Sequence, residues 1–378
     1  YGSRVAGYAK PDSDYDVIVV SEYPPKVRYA YVKGDVDAAV LVVDKDALMA
    51  DAEKGALGEF VVGRLLNAYE VLDGGEYFRD VEVKYKKRVV VETLNEIIST
   101  YGEFSTTLII PIKYFLYEKL KKRATIYPPA LYSYTKTYTG EQAEENLKAT
   151  LQGFQEALSI LHGEGLISLE DGNVRIKKAT LRRRQLTRLK TVVTYTARGL
   201  KQYAVHGYAG RVGWNVVSRE VLSKIGRSKD VGEVPPELRH PKNLWRIDEG
   251  LLIVEGDEWL PQMVEHLGLD KDVKVSHRHL GELYNITSVY ILEDGSQRVS
   301  LAVKKFKDLK SFKWTILNLW ALPARRFDTA PLARLFREYT AIRTFREMGL
   351  NTPKIVAVVL HDRMLVTEFI DGVDLGKI

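Results

Sequence analysis

The chain has 378 residues, which at roughly 150 residues per domain predicts two or three domains. Hydrophobic residues make up 45% and charged residues 28%, ordinary globular values that exclude wholesale disorder. The absence of cysteine excludes a disulfide scaffold, a thiolate nucleophile and a Cys-type zinc site. The net charge of +6 hides an asymmetry: residues 1–80 carry 9 Lys/Arg against 15 Asp/Glu, and residues 174–230 carry 15 against 2. An acidic head suits metal or nucleotide chemistry, and a basic middle suits a polyanion. No apolar run reaches the roughly 18 residues of a membrane span, so a cytoplasmic protein without a membrane partner is expected. The first residue is Tyr1 and no signal peptide follows, so the chain is expected to be a fragment cut at both ends.

In chain order, Val17 to Val20 and Val36 to Val43 are short β-branched apolar runs, as expected of buried strands, with Pro24-Pro25 between them. Helical spacing follows over 58–72 and stops at Asp73-Gly74-Gly75. Residues 86–162 read as mostly helical, broken at Pro128-Pro129. A helix ends near Gly163, and two short strands flank Asp171-Gly172-Asn173. That pattern fits the end of a winged-helix domain and equally a generic helix followed by a hairpin. Residues 178–230 are basic and read as helical, and 231–243 hold three prolines and read as a linker. Strands are expected at 286–292, 299–303, 355–360 and 364–369, with a helix over 332–348.

The opening reads Gly2-Ser3-Arg4-Val5-Ala6-Gly7, then Ser13-Asp14-Tyr15-Asp16-Val17. Residues two apart in a strand share a face, so Asp14 and Asp16 aim two carboxylates at one spot. Two such groups repel unless a cation neutralises them, and Mg²⁺ takes oxygen ligands of this kind. A turn at Gly2-Ser3 exposes backbone N–H groups and a hydroxyl to phosphate oxygens. Arg4 is a further candidate contact for a triphosphate, with a plain surface arginine the alternative.

Gly2-Ser3, Gly7 and Ser13-Asp14-Tyr15-Asp16 together resemble the minimal nucleotidyltransferases of the DNA polymerase beta superfamily over about the first 85 residues. The resemblance implies an NTP substrate held near Gly2, Ser3 and Ser13. It also implies Mg²⁺ or Mn²⁺ on Asp14, Asp16 and a third carboxylate. Asp37 is the best match for the third and Asp35 the second. In that family Asp37 would also help deprotonate an acceptor hydroxyl. The strand before Gly2 is missing, and residues 21–34 read as a hairpin arm where the family has a helix.

Leu301-Ala302-Val303-Lys304 on a strand, Glu338 on a following helix, Asn351 to Ile355 and then LVTEFIDGVDL form an ordered run. It resembles the N-terminal lobe of RIO kinases and the small atypical kinase of the archaeal tRNA threonylcarbamoylation machinery. The resemblance implies that Lys304 meets the ATP phosphates, Glu338 holds Lys304, and the backbone of Glu368 to Ile370 meets adenine. The insert with Trp314 and Trp320 is similar to that of RIO kinases; the glycine-rich loop is reduced to Gly281. With the chain ending at Ile378, the catalytic lobe is expected to lie outside it.

The expected architecture is α+β and multidomain. A nucleotidyltransferase α/β domain spans 1–85 with its first strand truncated, and a helical, winged-helix domain spans 86–180. A basic helical segment and Pro-rich linker span 181–244, and a kinase-like N-lobe spans 245–378. Arg182, Arg183, Arg184 and Arg188 are expected to meet nucleic-acid phosphates; the alternative is a solvated helix face. His277 and His279 read as a surface pair. The expected activity is transfer of an NMP from an NTP to a hydroxyl of RNA (tRNA or rRNA) or of a protein. The alternatives are a serine/threonine kinase regulated by the front domain, and a nucleic-acid-binding adaptor that senses nucleotide.

Overall fold

The computed structural model describes residues 1–23, 27–184, 233–256, 258–281, 285–295, 297–308 and 330–372, with the side chains of 182–184 outside that description. The chain is a mixed α+β protein with several sheets. It divides into two compact units, Tyr1–Gly102 with Ile110–Leu244, and Glu103–Ile109 with Trp245–Ile378. Among the described residues no helix is long and apolar enough to cross a membrane.

The first unit opens with β1 (Tyr15–Ser21), β2 (Val27–Val32) and β3 (Ala38–Asp44), in the sheet order β1-β3-β2. β1 and β3 run parallel, with Tyr15 opposite Ala38. β2 returns antiparallel to β3, with Tyr31 opposite Ala39, so the segment between the two apolar runs is a strand rather than a helix. Ala39, Leu41 and Val43 alternate inward along β3, the period of two that a half-buried sheet requires.

α1 (Lys45–Lys54) is fixed by its ends. Asp44 Oδ1 accepts from the Ala47 amide at 2.8 Å, and Gly55 takes φ 66° beyond the last turn. The helix expected over 58–72 does not form. Gly58 and Glu59 lie in the left-handed region at φ 67° and 64°, and only Val62–Leu66 make a 3₁₀ turn. The apolar spacing reflects burial of Phe60, Val61, Val62, Leu65 and Leu66, not an α-helical face.

Four longer helices complete most of this unit: α2 (Gly75–Tyr101), α3 (Ile112–Ile126), α4 (Ala130–Thr139) and α5 (Ala143–Gly163). Between α2 and α3 lies β4 (Leu108–Pro111), whose Ile110 pairs with Val174. The hairpin β5 (Ile167–Glu170) and β6 (Asn173–Ile176) turns at Asp171-Gly172, both at positive φ, as a tight two-residue hairpin demands. α6 (Lys178–Arg184) follows. The Pro-rich stretch is folded where it is described. Pro236–Arg239 and Pro241–Leu244 are single turns packed on α3, with Leu238 and Pro241 buried.

Two buried ionic clusters join these helices. Glu59 is 4% exposed, and its carboxylate meets Lys119 at 2.8 Å and Arg88 at 2.8 Å, with Arg123 at 3.4 Å. Burial works against the charge on Glu59, but the three cations outweigh it and hold the pKa below the ordinary carboxylate range. Gly63 is what lets Arg123 approach, since a Cβ there would lie 2.2 Å from the guanidinium carbon. Asp51 accepts the Leu57 and Glu59 amides at 2.8 and 2.9 Å. The left-handed Glu59 backbone is thus held at both its main chain and its side chain. In the second cluster Glu82 accepts from Lys86 at 2.5 Å, Arg79 at 2.7 Å and the Tyr69 hydroxyl at 2.8 Å.

The second unit holds β7 (Arg246–Ile247), β8 (Leu251–Ile253), α7 (Trp259–His266), β9 (Lys274–Gly281), β10 (Asn285–Glu293) and β11 (Arg298–Phe306). α8 (Pro331–Glu347), β12 (Ile355–Val359) and β13 (Met364–Glu368) follow. Pro331 opens α8 at the position where a missing N–H costs nothing. The six-stranded sheet has the order β8-β12-β13-β11-β10-β9, antiparallel except where β8 meets β12. β12 is buried along all five residues, and its Ala357 and Val359 pack with Met263, Leu292, Leu301 and Val366. Leu108 and Ile109 belong to this unit and pair with Ile247 and Arg246; Phe104 stacks on Phe336 with centroids 4.3 Å apart.

Glu59→Gln leaves three buried cations around a neutral amide, and breaking a buried ion pair by removing one partner costs about 3–5 kcal/mol. Urea denaturation is expected to show a loss of that size for the first unit. Arg298→Ala, which removes an exposed pair with Glu293, is expected to change stability by less than about 1 kcal/mol.

Candidate functional site

Strand register sets the carboxylates at the start of β1 and β3 on one face. Residues opposite one another on parallel strands face the same way. Asp16 is opposite Ala39, and Asp14 and Asp37 fall opposite each other one residue before the ladder begins. The Tyr15 amide donates to the Asp37 carbonyl at 2.9 Å and ties the two strand ends together. Asp14, Asp16 and Asp37 therefore come to one face at the same end of adjacent strands. Asp35 lies outside the ladder, in the exposed bend between β2 and β3.

Gly2 is packed against this face. It takes φ 88°, and a Cβ on it would lie 2.1 Å from Asp16 Oδ2, so only glycine fits. The Gly2 and Ser3 carbonyls accept from the Ala6 and Tyr8 amides at 3.0 Å each, which winds the Gly-Ser turn into a helical turn beside the carboxylates. Ser13 serves the loop: its hydroxyl accepts from the Lys10 amide at 2.9 Å. Arg4 is tied to its own loop at the edge of the cavity along β1. Its guanidinium donates to the Ser13 carbonyl at 3.0 and 2.5 Å and lies 4.5 Å from the Tyr15 ring centroid, so it pins the loop that carries Ser13 and Asp14.

A cavity of about 760 Å³ runs along β1 and is lined by Tyr1, Asp16, Val17, Arg64, Tyr69 and Leu72 among others. Arg64 was not singled out from the sequence, although an arginine inside the apolar run Phe60 to Leu66 is the signal that finds it. Its guanidinium donates to the Tyr1 hydroxyl at 2.8 Å, to the Tyr29 hydroxyl at 2.5 Å and to the Phe60 carbonyl. Burial opposes its charge, but Tyr1, Tyr29 and Asp16 outweigh that and raise its pKa. Arg64 is thus a fixed positive charge near Asp16.

The donors suit a hard divalent ion in kind, being carboxylate oxygens. Neither the Asp14 nor the Asp37 carboxylate has a partner among the described residues. Among the described residues no three His, Asp or Glu side chains are grouped closely enough to hold a metal ion, so ligation would draw the three carboxylates inward.

In the second unit, Lys304 on β11 donates to both Glu338 oxygens on α8, at 2.8 and 2.6 Å, with both side chains about one-third exposed. Lys305 points to the other face and meets Asp362 at 2.9 Å. Arg334, one turn before Glu338 on α8, donates to Asn285 Oδ1 at 3.2 Å and so ties α8 to the start of β10. At the end of β13 the Glu368 amide donates to the Lys354 carbonyl at 2.9 Å, and the Lys354 amide donates back to the Glu368 carboxylate at 2.9 Å rather than to its carbonyl. Phe369 pairs with Ser300 at 3.0 Å, and Ile370, exposed, is the first residue beyond that pairing. His277 stacks on Tyr290 at 5.4 Å and His279 contacts Ser288 at 3.3 Å, each with a neighbour of its own on β10.

The side chains of Arg182, Arg183, Arg184 and Arg188 lie outside the described residues, as do Pro24, Pro25, Trp314 and Trp320. Comparison with protein-family models, with curated proteins and with solved structures returns no match for this chain.

Lys304→Ala is expected to weaken ATP binding, measured by calorimetry on the full chain, and Glu338→Ala to weaken it less, since Glu338 holds Lys304. The double variant is expected to lose no more than about 0.5 kcal/mol beyond Lys304→Ala alone. Simple additivity of the two losses would mean that the ion pair plays no part in binding.

Proposed function

We propose that the protein is a divalent-cation-dependent nucleotidyltransferase working at the Asp14, Asp16 and Asp37 face, with a second nucleotide site beside Lys304 and Glu338. The observation that carries the first part is the β1–β3 register, which sets three acids on one face of the sheet beside a Gly-Ser turn whose Gly2 takes a positive φ. Two of those acids have no partner among the described residues, so their oxygens are open to a hard cation.

In this reading the Gly2-Ser3 turn holds the NTP phosphates, and Asp14, Asp16 and Asp37 hold Mg²⁺ or Mn²⁺. When bound, the metal supplies charge neutralisation at the attacking and leaving oxygens. The acceptor hydroxyl oxygen forms a bond to the α-phosphorus. The bond from that phosphorus to the bridging oxygen breaks, and pyrophosphate leaves with the bonding pair. Asp37, at the end of β3, takes the hydroxyl proton. Arg64 stays charged behind Asp16 as the polyanion arrives.

The ATP site of the second unit rests on a separate observation, the Lys304–Glu338 contact at 2.6 Å. A lysine beside triphosphate oxygens needs a carboxylate to fix its position. The strand sequence β9, β10, β11, then α8, then β12 and β13, with β13 between β11 and β12, is also consistent with a kinase-like lobe. Adenine would then sit against the backbone of Glu368 to Ile370.

Incubation of the full chain with α-labelled and γ-labelled ATP separates the possibilities. Label transferred only from the α-position is expected, with Asp14→Asn or Asp16→Asn lowering transfer about a hundredfold or more while leaving the melting temperature unchanged within a few degrees. Transfer only from the γ-position would favour the kinase reading. Binding without transfer of either label would favour a nucleotide sensor.

A further inference from the structure

We infer that the open edge of β1 is a docking groove for an extended basic-apolar peptide of a partner protein, which adds a fourth strand to the β1-β3-β2 sheet. The inference stands apart from the nucleotidyl-transfer reading. The backbone of β1 carries it. β1 forms one edge of its sheet. The Tyr15 amide turns inward, to the Asp37 carbonyl at 2.9 Å. Successive residues of a strand turn their amide and carbonyl to alternate sides, so Asp16, Ile18 and Val20 turn theirs outward. The first outward position already takes a donor: the Asp16 carbonyl accepts from the Tyr1 backbone nitrogen at 3.0 Å. The outward groups of Ile18 and Val20 have no partner among the described residues.

The side chains agree with the backbone. Val17 to Val20 have the composition of a buried strand, yet no residue of β1 is buried. Ile18 and Val20 lie opposite Leu41 and Val43 of β3, which are fully buried. The cavity of about 760 Å³ follows this edge, since every residue from Tyr15 to Val20 lines it, whichever face of the sheet its side chain takes. Six residues span about 20 Å, the length of an ordinary strand. Val71 and Leu72 also line the cavity, 42% and 91% exposed, and offer apolar contact to alternate side chains of an added strand. Charge selects the occupant. Arg4 and Arg64 are bonded to Ser13 and to Tyr1 and Tyr29. Glu70 and Asp73 line the cavity with no cation bonded to either among the described residues. A peptide that alternates apolar residues with lysine or arginine meets both the edge and these acids.

The test uses a labelled heptapeptide of alternating valine and lysine, titrated with the full chain by fluorescence anisotropy. Its control is the same peptide with alternate amides N-methylated, in both registers, so that neither copy can donate along a whole edge. Saturable binding of the unmodified peptide is expected. Losing two main-chain hydrogen bonds is expected to weaken the better methylated copy about 5- to 150-fold. Ile18→Pro removes an outward amide on an edge strand, where proline is tolerated, and is expected to weaken binding about tenfold or more with the melting temperature little changed. Leu72→Asp, at an exposed position outside the sheet, is expected to weaken it about fivefold or more, so the groove is tested even if Ile18→Pro does not fold. A parent that does not bind the peptide overturns the inference. So does a methylated copy that binds as well as the unmodified one, or a Leu72→Asp variant that keeps parental affinity. Self-association of the parent without peptide binding gives the edge to a second copy and overturns the peptide.

Discussion

The first unit depends on the burial of Glu59 among three cations. A carboxylate so placed is tolerable only because Lys119, Arg88 and Arg123 surround it, and those cations come from α2 and α3. The cluster therefore fixes where both helices lie relative to the 59–66 turn. It also sustains a left-handed backbone at a residue with a side chain, a conformation that costs about 1–3 kcal/mol when nothing else requires it. Five residues on, the same turn delivers Arg64 to Tyr1 and Tyr29. The hub thereby reaches the Gly-Ser turn through Tyr1 and β2 through Tyr29. Geometry at the carboxylate face is inherited from an ion cluster that takes no part in its chemistry.

The second unit uses charge differently. Lys304 and Glu338 are each about one-third exposed, so their pairing is screened by water and contributes little to stability. A short contact of small energetic value is suited to exchange: the lysine can turn to a phosphate without leaving an unpaired charge buried. Arg334 on the same helix anchors Asn285, while Arg346 at the far end of α8 meets Glu249 and the Pro353 carbonyl. α8 is held at both ends, and the Lys304 contact lies between them.

Local patterning made much of this visible beforehand. β1 and β3 announce themselves as β-branched runs, the β5–β6 turn as Asp-Gly, and α8 as an apolar spacing behind Pro331. The shared face of Asp14 and Asp16 follows from their spacing, whereas Asp37 and the Lys304–Glu338 contact are expected from the family resemblances alone. What escaped was set by tertiary partners. The 58–72 segment has the apolar spacing of a helix, but its Glu59 side chain finds three cations only if the backbone turns left-handed. α1 was overlooked although Asp44 and Gly55 mark its two ends, because its composition carries little apolar contrast. Residues 231–243 read as a linker from their prolines, and nothing local indicates that Leu238 and Pro241 are buried against α3.

The contrast between buried and surface acids bears most directly on function. Within the core of the first unit the carboxylates are answered: Glu59 and Glu82 by cations, Asp51 by backbone amides. Folding has therefore matched charge where burial makes a mismatch expensive. Asp14 and Asp37 lie at the open end of the sheet, opposite each other, with no partner for either carboxylate among the described residues. Acids open to solvent cost little when unpaired, so the fold can leave them unanswered. In the proposed reading, a cation arriving with a substrate would meet two acids that folding has not already neutralised, so the energy of neutralising them would contribute to binding rather than to folding.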